Sequence, residues 1–325
     1  MKIAIYGYGN VGKGVELATT QNKDVELFGI FTKRDTSSIK TITNAKVYSI
    51  NDLMNYKNDI DVLIICSGSA TELPVITPNM AEHFNVVDSF DTHAKIPEHF
   101  KNVNEKAKSN NHTALISCGW DPGMFSLMRL YSRAILPNGK DYTFWGRGVS
   151  QGHSDAIRHI KGVIDARQYT VPKTDAVEKV KLGFNPDLST RDKHFRECYV
   201  VVEETADKND IEKQIKNMPN YFADYDTVVH FISKEEMDKK HNKLPHGGQV
   251  LRSGHTGLVN EHKHLIEYNL TLDSNPEFTA SALVAFARAV DKMHKRGEVG
   301  CFTVFDVRPG DVINMDGEEI RRELL

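Results

Sequence analysis

Short apolar runs alternate with helically spaced stretches over the first third of the chain. Lys2–Tyr6, Val25–Phe31, Asp61–Cys66, Val86–Ser89 and Thr113–Cys118 read as strands, and Val11–Thr20 carries its apolar side chains at helical spacing. Nearly continuous apolar strands separated by helices predict a parallel sheet covered on both faces, the doubly wound α/β class. After about residue 120 the texture changes. Lys140–Trp145, Ala166–Val171, Glu197–Glu203, Thr227–Ile232 and Leu265–Leu272 mix polar with β-branched or aromatic residues, which predicts half-exposed, mainly antiparallel strands in an open mixed sheet. Asp175–Leu182 and Lys208–Asn217 fit surface helices, the second with Ile211 and Ile215 at i, i+4. A later helix starts at Ser274-Asn275-Pro276, with Asn275 as cap and Pro276 in the first turn. Phe278, Leu283, Phe286, Val290 and Met293 form its stripe, and Gly297 stops it. Cys301–Val307 is one more strand or extended segment.

Gly7-Tyr8-Gly9-Asn10-Val11-Gly12 follows the first predicted strand and opens the first predicted helix. In that place Gly7 makes a tight turn, Gly9 admits a diphosphate to the backbone, and Gly12 lets helix and strand pack closely, with the helix N-terminus attracting the anion. The expected fold is therefore an N-terminal Rossmann domain over residues 1–120, joined by the C-terminal segment 297–325. A second, α+β domain spans 121–296. The second strand ends in Phe31-Thr32-Lys33-Arg34, without the acid that would hold the ribose of NAD. A hydroxyl followed by two cations suits the 2′-phosphate of NADP; the alternative is that Lys33 and Arg34 are turn charges and Asp35 is a displaced ribose ligand. Ligands of such sheets lie beyond the carboxyl ends of the strands. That rule adds Cys66, Ser67, Gly68 and Ser69, then Ser89, Phe90 and Asp91, then Cys118, Gly119, Trp120, Asp121 and Pro122 to the cofactor-side residues. Asp91 and Asp121 read either as a buried pair for substrate binding and proton transfer or as loop aspartates capping turns.

Composition narrows the partners. The 325 residues suit two domains, and 41 Lys plus Arg against 44 Asp plus Glu give a charge of −3, which argues against nucleic acid and anionic membranes. The apolar start is cut by glycines too early for a signal peptide or a span, and four scattered cysteines read as reduced thiols, so a cytoplasmic setting is expected. Ser150-Gln151-Gly152-His153-Ser154-Asp155 is too compact to fold into a catalytic triad and reads as a glycine turn feeding a helix capped by Ser154 or Asp155. His255, His262 and His264 lack metal-ligand spacing, so no metal is expected.

Six ordered motifs carry a resemblance. Gly7 to Gly12, Trp120-Asp121-Pro122-Gly123-Met124, Phe144-Trp145-Gly146, Ser150 to Asp155, Leu244-Pro245-His246-Gly247-Gly248 and Asn275-Pro276 together resemble the meso-diaminopimelate D-dehydrogenases of bacteria, from residue 1 to about 307. The resemblance implies an NADP-dependent homodimer that deaminates the D-centre of meso-2,6-diaminopimelate. It implies Asp91 and Asp121 at the D-amino group as catalytic residues, Trp145, Gln151 and Gly152 around the substrate, Thr170, Arg196 and His246 on the L-end carboxylate, and Asn275 as a further contact. Thr32-Lys33-Arg34 stands where a Ser-Arg-Arg run is familiar. Taken singly, Arg196 reads as a strand-surface cation, His246 as a turn residue, Trp145 as a core plug and Asn275 as a cap. The alternative functions are a dihydrodipicolinate reductase-like or homoserine dehydrogenase-like enzyme, or a non-catalytic NADP-binding sensor.

Overall fold

Strand β1 (Lys2–Tyr6) lies beside the central strand of a seven-stranded sheet in a computed structural model that describes Met1–Leu325. Its companions are β2 (Glu26–Thr32), β3 (Val47–Ser49), β4 (Val62–Ile65), β5 (Val86–Asp88), β6 (Thr113–Leu115) and the strand Gly300–Phe302. The order runs from Gly300–Phe302 through β6, β5, β4, β1 and β2 to β3, every pairing parallel. Alternate residues feed opposite faces: Ile3, Ile5, Ile30, Val62 and Ile64 enter one core, and Ala4, Tyr6, Phe31, Leu63 and Ile65 the other. Burial on both faces explains why these strands read as continuous apolar runs. Helices α1 (Asn10–Gln21), α2 (Leu73–Ala81) and α3 (Ile96–Ser109) follow β1, β4 and β5.

The chain divides into two compact units, Met1–Leu127 with Pro276–Leu325, and Met128–Asn275. The expected divisions after 120 and 296 therefore move, and the long helix Asn275–Lys295 belongs almost wholly to the first unit. The reason is packing: Ala280, Leu283, Val284, Phe286, Ala287 and Val290 enter the same cluster as Ile3, Ile5 and Val15. The extended segment expected over Cys301–Val307 stops at Phe302 because Asp306 folds back, its Oδ2 accepting from Thr303 N at 2.8 Å and Thr303 Oγ1 at 2.9 Å.

The second unit holds β7 (Gly139–Trp145), β8 (Gly148–Val149), β9 (Val163–Pro172), β10 (His194–Val202), β11 (Asp226–Phe231), β12 (His246–Thr256) and β13 (His262–Leu272). They form two sheets, β11-β10-β9-β8 and β13-β12-β7, where a single open mixed sheet was expected. Only β10 and β11 pair in parallel; the other pairings are antiparallel. The sequence does not announce β12, whose glycines read as a turn. In the sheet they mark crowding, since a Cβ at Gly248 would stand 2.5 Å from the Phe144 carbonyl. Ile211 and Ile215 of the helix Lys208–Lys216 pack with Cys198 and Val200 of β10. No helix is long and apolar enough to cross a membrane.

Arg288, 6% exposed, closes the first unit. Its Nε reaches Asp24 Oδ2 at 2.6 Å, its Nη2 reaches Asp24 Oδ1 at 2.9 Å and Asn22 Oδ1 at 3.0 Å, and its Nη1 reaches the Val312 carbonyl at 2.8 Å. Arg288 holds the Asp24 carboxyl below its ordinary value, so the pair's stabilisation is complete above the unfolded carboxylate pKa and is lost as pH falls through the folded one. Arg288→Met should lower unfolding free energy by about 3 kcal/mol in denaturant titrations and flatten the acid limb of the stability profile. A loss below about 1 kcal/mol would show that the clamp contributes no more than a surface pair.

Candidate functional site

The turn between β1 and α1 is built by close backbone approach. Gly7 has φ +91°, and a Cβ there would stand 2.9 Å from the Cys66 carbonyl oxygen. A Cβ at Gly12 would stand 2.3 Å from the Gly7 carbonyl oxygen, whereas at Gly9 nothing lies within 4 Å. The N-cap of α1 is Gly9, with no side-chain cap and no acid in the first turn. Narrow where strand meets helix and open at Gly9, this turn fits a dinucleotide diphosphate.

The end of β2 is tied to that turn. Arg34 Nη2 donates to the Tyr8 carbonyl, and Arg34 N donates to Thr32 Oγ1 at 3.2 Å. The Tyr8 hydroxyl donates to the fully buried Glu16 carboxylate. Glu16 also accepts from Ile42 N at 3.1 Å and from Thr43 N and Oγ1 at 2.6 Å. Burial pushes the Glu16 carboxyl up, but the bonds from Thr43 and Tyr8 outweigh it and hold the carboxyl below its ordinary value. Lys33 Nζ lies 3.1 Å from Glu72 Oε1, while Glu72 Oε2 accepts from Gly68 N at 2.9 Å. Asp35 caps its own turn, accepting from Ser37 N at 3.0 Å and Ser37 Oγ at 2.7 Å. That engagement weakens its reading as a ribose ligand. Sequence reasoning missed Glu16 and Glu72; Glu16, an acid on the inward face of an otherwise apolar helix, was the available signal.

Farther along the strand ends, Asp91 and Ser69 bind each other. The Ser69 hydroxyl donates to Asp91 Oδ1, and Asp91 N donates to Ser69 Oγ at 3.0 Å. Asp91 is exposed and Asp121 is half-buried, so the two are not the buried pair expected. The reason is that both lie past the strand ends, on loops. Asp121 sits in a loop that folds on itself, with Gly119 N donating to the Pro122 carbonyl at 2.9 Å, Met124 N to that of Gly119 at 3.1 Å and Phe125 N to that of Trp120 at 2.8 Å. Trp120 is buried edge-on against Phe125. Cys118 and Phe90 are fully buried, and burial pushes the Cys118 thiol well up. Their side chains belong to the core, which leaves only their backbone for a ligand. Cys66, Ser67, Ser69 and Ser89 are half-buried, and Gly68 is exposed.

In the second unit, Gly148, Thr170 and Arg196 form one row across β8, β9 and β10. Arg196 Nη1 donates to Thr170 Oγ1, and the Tyr225 ring centre lies 3.8 Å from the guanidinium carbon. Arg196 is 6% exposed, its Nε has no partner, and burial pulls its pKa down. No carboxylate pairs with it, which leaves a buried cation without an internal anion. The His246 imidazole covers Gly148, where a Cβ would come within 2.5 Å of the ring, and His246 Nδ1 accepts from Gly247 N at 2.8 Å. Trp145 N donates to His194 Nε2 at 2.8 Å, and the two rings stack with centres 5.4 Å apart.

The helix Gln151–Arg158 starts earlier than expected. Ser150 is its cap, accepting from His153 N, which places Ser154 and Asp155 inside it. Ser154 Oγ instead donates to the Ser150 carbonyl at 2.6 Å and accepts from Gln168 N at 2.9 Å. Gln151 and Gly152 are exposed in the first turn. Asn275 N donates to the Leu244 carbonyl at 3.0 Å, so the start of the long helix is pinned to the segment that carries His246. Sequence reasoning set His153 aside with the Ser150–Asp155 motif and missed His194, Gln168 and Tyr225. His194 stands two residues before Arg196 on β10 and so shares its face, a spacing that could have identified it. The site residues thus fall into two groups, Asp91 and Asp121 with the glycine turn in the first unit, and Trp145, Gln151, Gly152, Thr170, Arg196, His246 and Asn275 in the second.

Residues 119–274 match the model of the diaminopimelic acid dehydrogenase C-terminal domain. The chain is 58% identical to the meso-diaminopimelate D-dehydrogenase of Acetivibrio thermocellus over 100% of this chain and 98% of that one. Among solved structures, the Corynebacterium glutamicum DAP dehydrogenase in complex with DAP is 42% identical with a TM-score of 0.92, covering 100% of this chain and 99% of that one. An engineered D-amino acid dehydrogenase bound to NADP+ is 40% identical with a TM-score of 0.88, over 100% and 99% of the two chains.

Burial, followed by the field of nearby cations including Arg196, lowers the His194 pKa to about 3 and the His153 pKa to about 4, and burial lowers that of His246. Imidazole NMR should therefore show His153 and His194 neutral down to pH 5. Because the unfolded chain takes up these protons first, the stabilisation is full above about pH 6.5 and falls as pH drops from there. His194→Gln should reduce that slope. A His194 resonance titrating near pH 6.5 would contradict the burial.

Proposed function

The chain belongs to the meso-diaminopimelate D-dehydrogenase family, and from that premise we propose that it catalyses NADP-dependent, reversible oxidative deamination of the D-centre of meso-2,6-diaminopimelate. In the oxidative direction, substrate with an ammonium group, NADP+ and water give L-2-amino-6-oxopimelate, ammonium, NADPH and a proton. Bound NADP supplies the hydride acceptor; positioning is the task of the protein. The observation that carries the reading is Arg196, a buried cation with no internal anion, which calls for a carboxylate from outside the chain.

The unit with the glycine turn is the cofactor domain, and Met128–Asn275 is the substrate domain. Gly7, Tyr8, Gly9, Asn10, Val11 and Gly12 hold the diphosphate at the start of α1. Thr32 and Arg34 hold the 2′-phosphate, joined by Lys33 when it leaves Glu72. Asp91 and Asp121 take the D-amino group: their carboxylate oxygens accept its N–H bonds and draw a proton from the ammonium, leaving the nitrogen lone pair free to support loss of hydride. At the other end, Arg196, Thr170 and His246 bind the L-end carboxylate. Trp145 walls the substrate, Gln151 and Gly152 line it, and Asn275 adds a contact. Family membership favours this reading over a dihydrodipicolinate reductase-like or homoserine dehydrogenase-like enzyme and over a non-catalytic sensor. It also supports a cytoplasmic homodimer acting on a small molecule.

The direct test is NADPH formation: meso-diaminopimelate with NADP should give turnover, and the L,L isomer or homoserine should not. Arg196→Met removes a charge-assisted bond of about 1.5–3 kcal/mol, so KM for meso-diaminopimelate should rise about 10- to 100-fold while NADPH affinity stays constant. An unchanged KM would refute the assignment. Arg34→Ala should narrow the preference for NADP over NAD by about tenfold; equal losses with both cofactors would argue against a phosphate contact.

A further inference from the structure

Asp88, the last residue of β5, is fully buried, and its carboxylate accepts four hydrogen bonds. The two oxygens divide the work. Oδ1 accepts from Phe90 N at 3.1 Å and from Ser117 N at 2.9 Å. Oδ2 accepts from Thr77 Oγ1 of α2 at 2.8 Å and from His99 Nε2 of α3 at 2.7 Å. The His99 ring packs on Phe90 with centres 4.4 Å apart, and its Nδ1 is buried without a partner, so Nε2 is the nitrogen that carries the donated proton. The Asp88 backbone adds a fifth tie, its carbonyl accepting from Cys118 N at 2.9 Å.

The amides on Oδ1 open the two loops that carry the carboxylates assigned to the amine. Phe90 immediately precedes Asp91, and Ser117 and Cys118 lead into the folded turn that holds Asp121. Ser117 leaves β6 with φ +60°, an uncommon conformation for a non-glycine residue, and its amide is held there by Asp88 Oδ1. A single oxygen therefore sets where both loops depart from the sheet, and a second oxygen fixes the first to two helices.

We propose that Asp88 is a positioning residue for the deamination, setting the spacing of Asp91 and Asp121 through the paired amides of Phe90 and Ser117. This rests on the proposed function. Neutralising Asp88 replaces the carboxylate that holds both amides by a weaker neutral acceptor, and its NH2 group meets amide donors on the Oδ1 side or, on the Oδ2 side, requires the Thr77 hydroxyl and His99 Nε2 to turn from donors into acceptors. The loops then lose their common reference. A misplacement of about 1 Å at the reacting centre costs about 100-fold in rate, while the contacts that bind the L-end carboxylate and the cofactor diphosphate lie elsewhere.

The test uses the full-length holoenzyme with Asp88→Asn. The measurements are kcat, KM for meso-diaminopimelate, NADPH affinity by fluorescence titration, thermal midpoint, and the primary isotope effect on kcat/KM with substrate deuterated at the D-carbon. The expected result is a kcat lower by about 100-fold with KM and NADPH affinity within about threefold, and an isotope effect raised towards its intrinsic limit because hydride transfer becomes slow. A lower thermal midpoint with kcat per folded molecule unchanged would reduce Asp88 to a structural residue and overturn the proposal, as would a loss of kcat with an unaltered isotope effect. Should Asp88→Asn fail to fold, Thr77→Val decides: it deletes one donor to Oδ2 at nearly constant shape, and a drop in kcat with a raised isotope effect is required. Wild-type protein inactive on meso-diaminopimelate would refute the functional reading itself, a result separate from any of these.

Discussion

Two carbonyl oxygens at the first turn of the chain leave no space for a side chain. A methyl on Gly12 would meet the Gly7 carbonyl at 2.3 Å, and one on Gly7 would meet the Cys66 carbonyl at 2.9 Å. With those positions bare, α1 starts directly against the end of β1, and β1 lies in register with β4 up to Tyr6 and Ile65. The strand order reverses between β1 and β4, and α1 starts beside that point at the carboxyl ends of the strands. Tyr8 in the middle of the turn fixes the next layer: its carbonyl receives Arg34 from β2, and its hydroxyl reaches Glu16, which receives Ile42 and Thr43. The end of β2 is thus held by the same turn that joins β1 to α1.

The second unit solves a different electrostatic problem. Arg196 is buried among groups kept uncharged: burial followed by nearby positive charge pulls down the pKa values of His153 and His194. A protonated histidine beside a buried guanidinium would add like-charge repulsion to a desolvation cost already borne by the arginine. Neutral imidazoles add no further positive charge beside the Arg196 guanidinium. The whole-chain charge of −3 conceals this, because it averages the buried cation with acidic loops elsewhere.

Legibility in the sequence followed from how local each cause is. The parallel sheet was readable because double-sided burial writes apolar runs, and the glycine turn because its three constraints fall within six residues, Gly7 to Gly12. Strand β12 was not, since its glycines answer to the neighbouring backbone of β7, a contact that β12's own residues do not encode. The long helix was read correctly as a helix but assigned to the wrong domain, because periodicity shows that a face is buried without showing what covers it. Ser150 lost the cap to Ser154 and Asp155 in the reading because all three have capping chemistry, and only the backbone distinguishes them. The proposed site residues of the second unit came from a resemblance to known sequences, whereas Asp88, Glu16, His194 and Tyr225 meet partners brought to them by the fold and leave no local pattern.

Meso-diaminopimelate presents an amino group and a carboxylate at both ends, so neither group alone can decide which carbon reacts. In the proposed function, two carboxylates that bind an amine, Asp91 and Asp121, would accept either end equally and so would supply reactivity without a choice. Discrimination must come from groups that recognise the end which does not react, and Arg196, Thr170 and His246 are suited to that because their positions are fixed by strand pairing and burial. When the L-end is held there, the chain length of the substrate determines where the other α-carbon arrives, and its configuration determines whether hydrogen or another substituent faces the hydride acceptor. Binding energy at the remote end is then realised as orientation at the reacting one. Substrates lacking that remote carboxylate should suffer in kcat as well as KM, because the site would lose its means of choosing a pose along with its affinity.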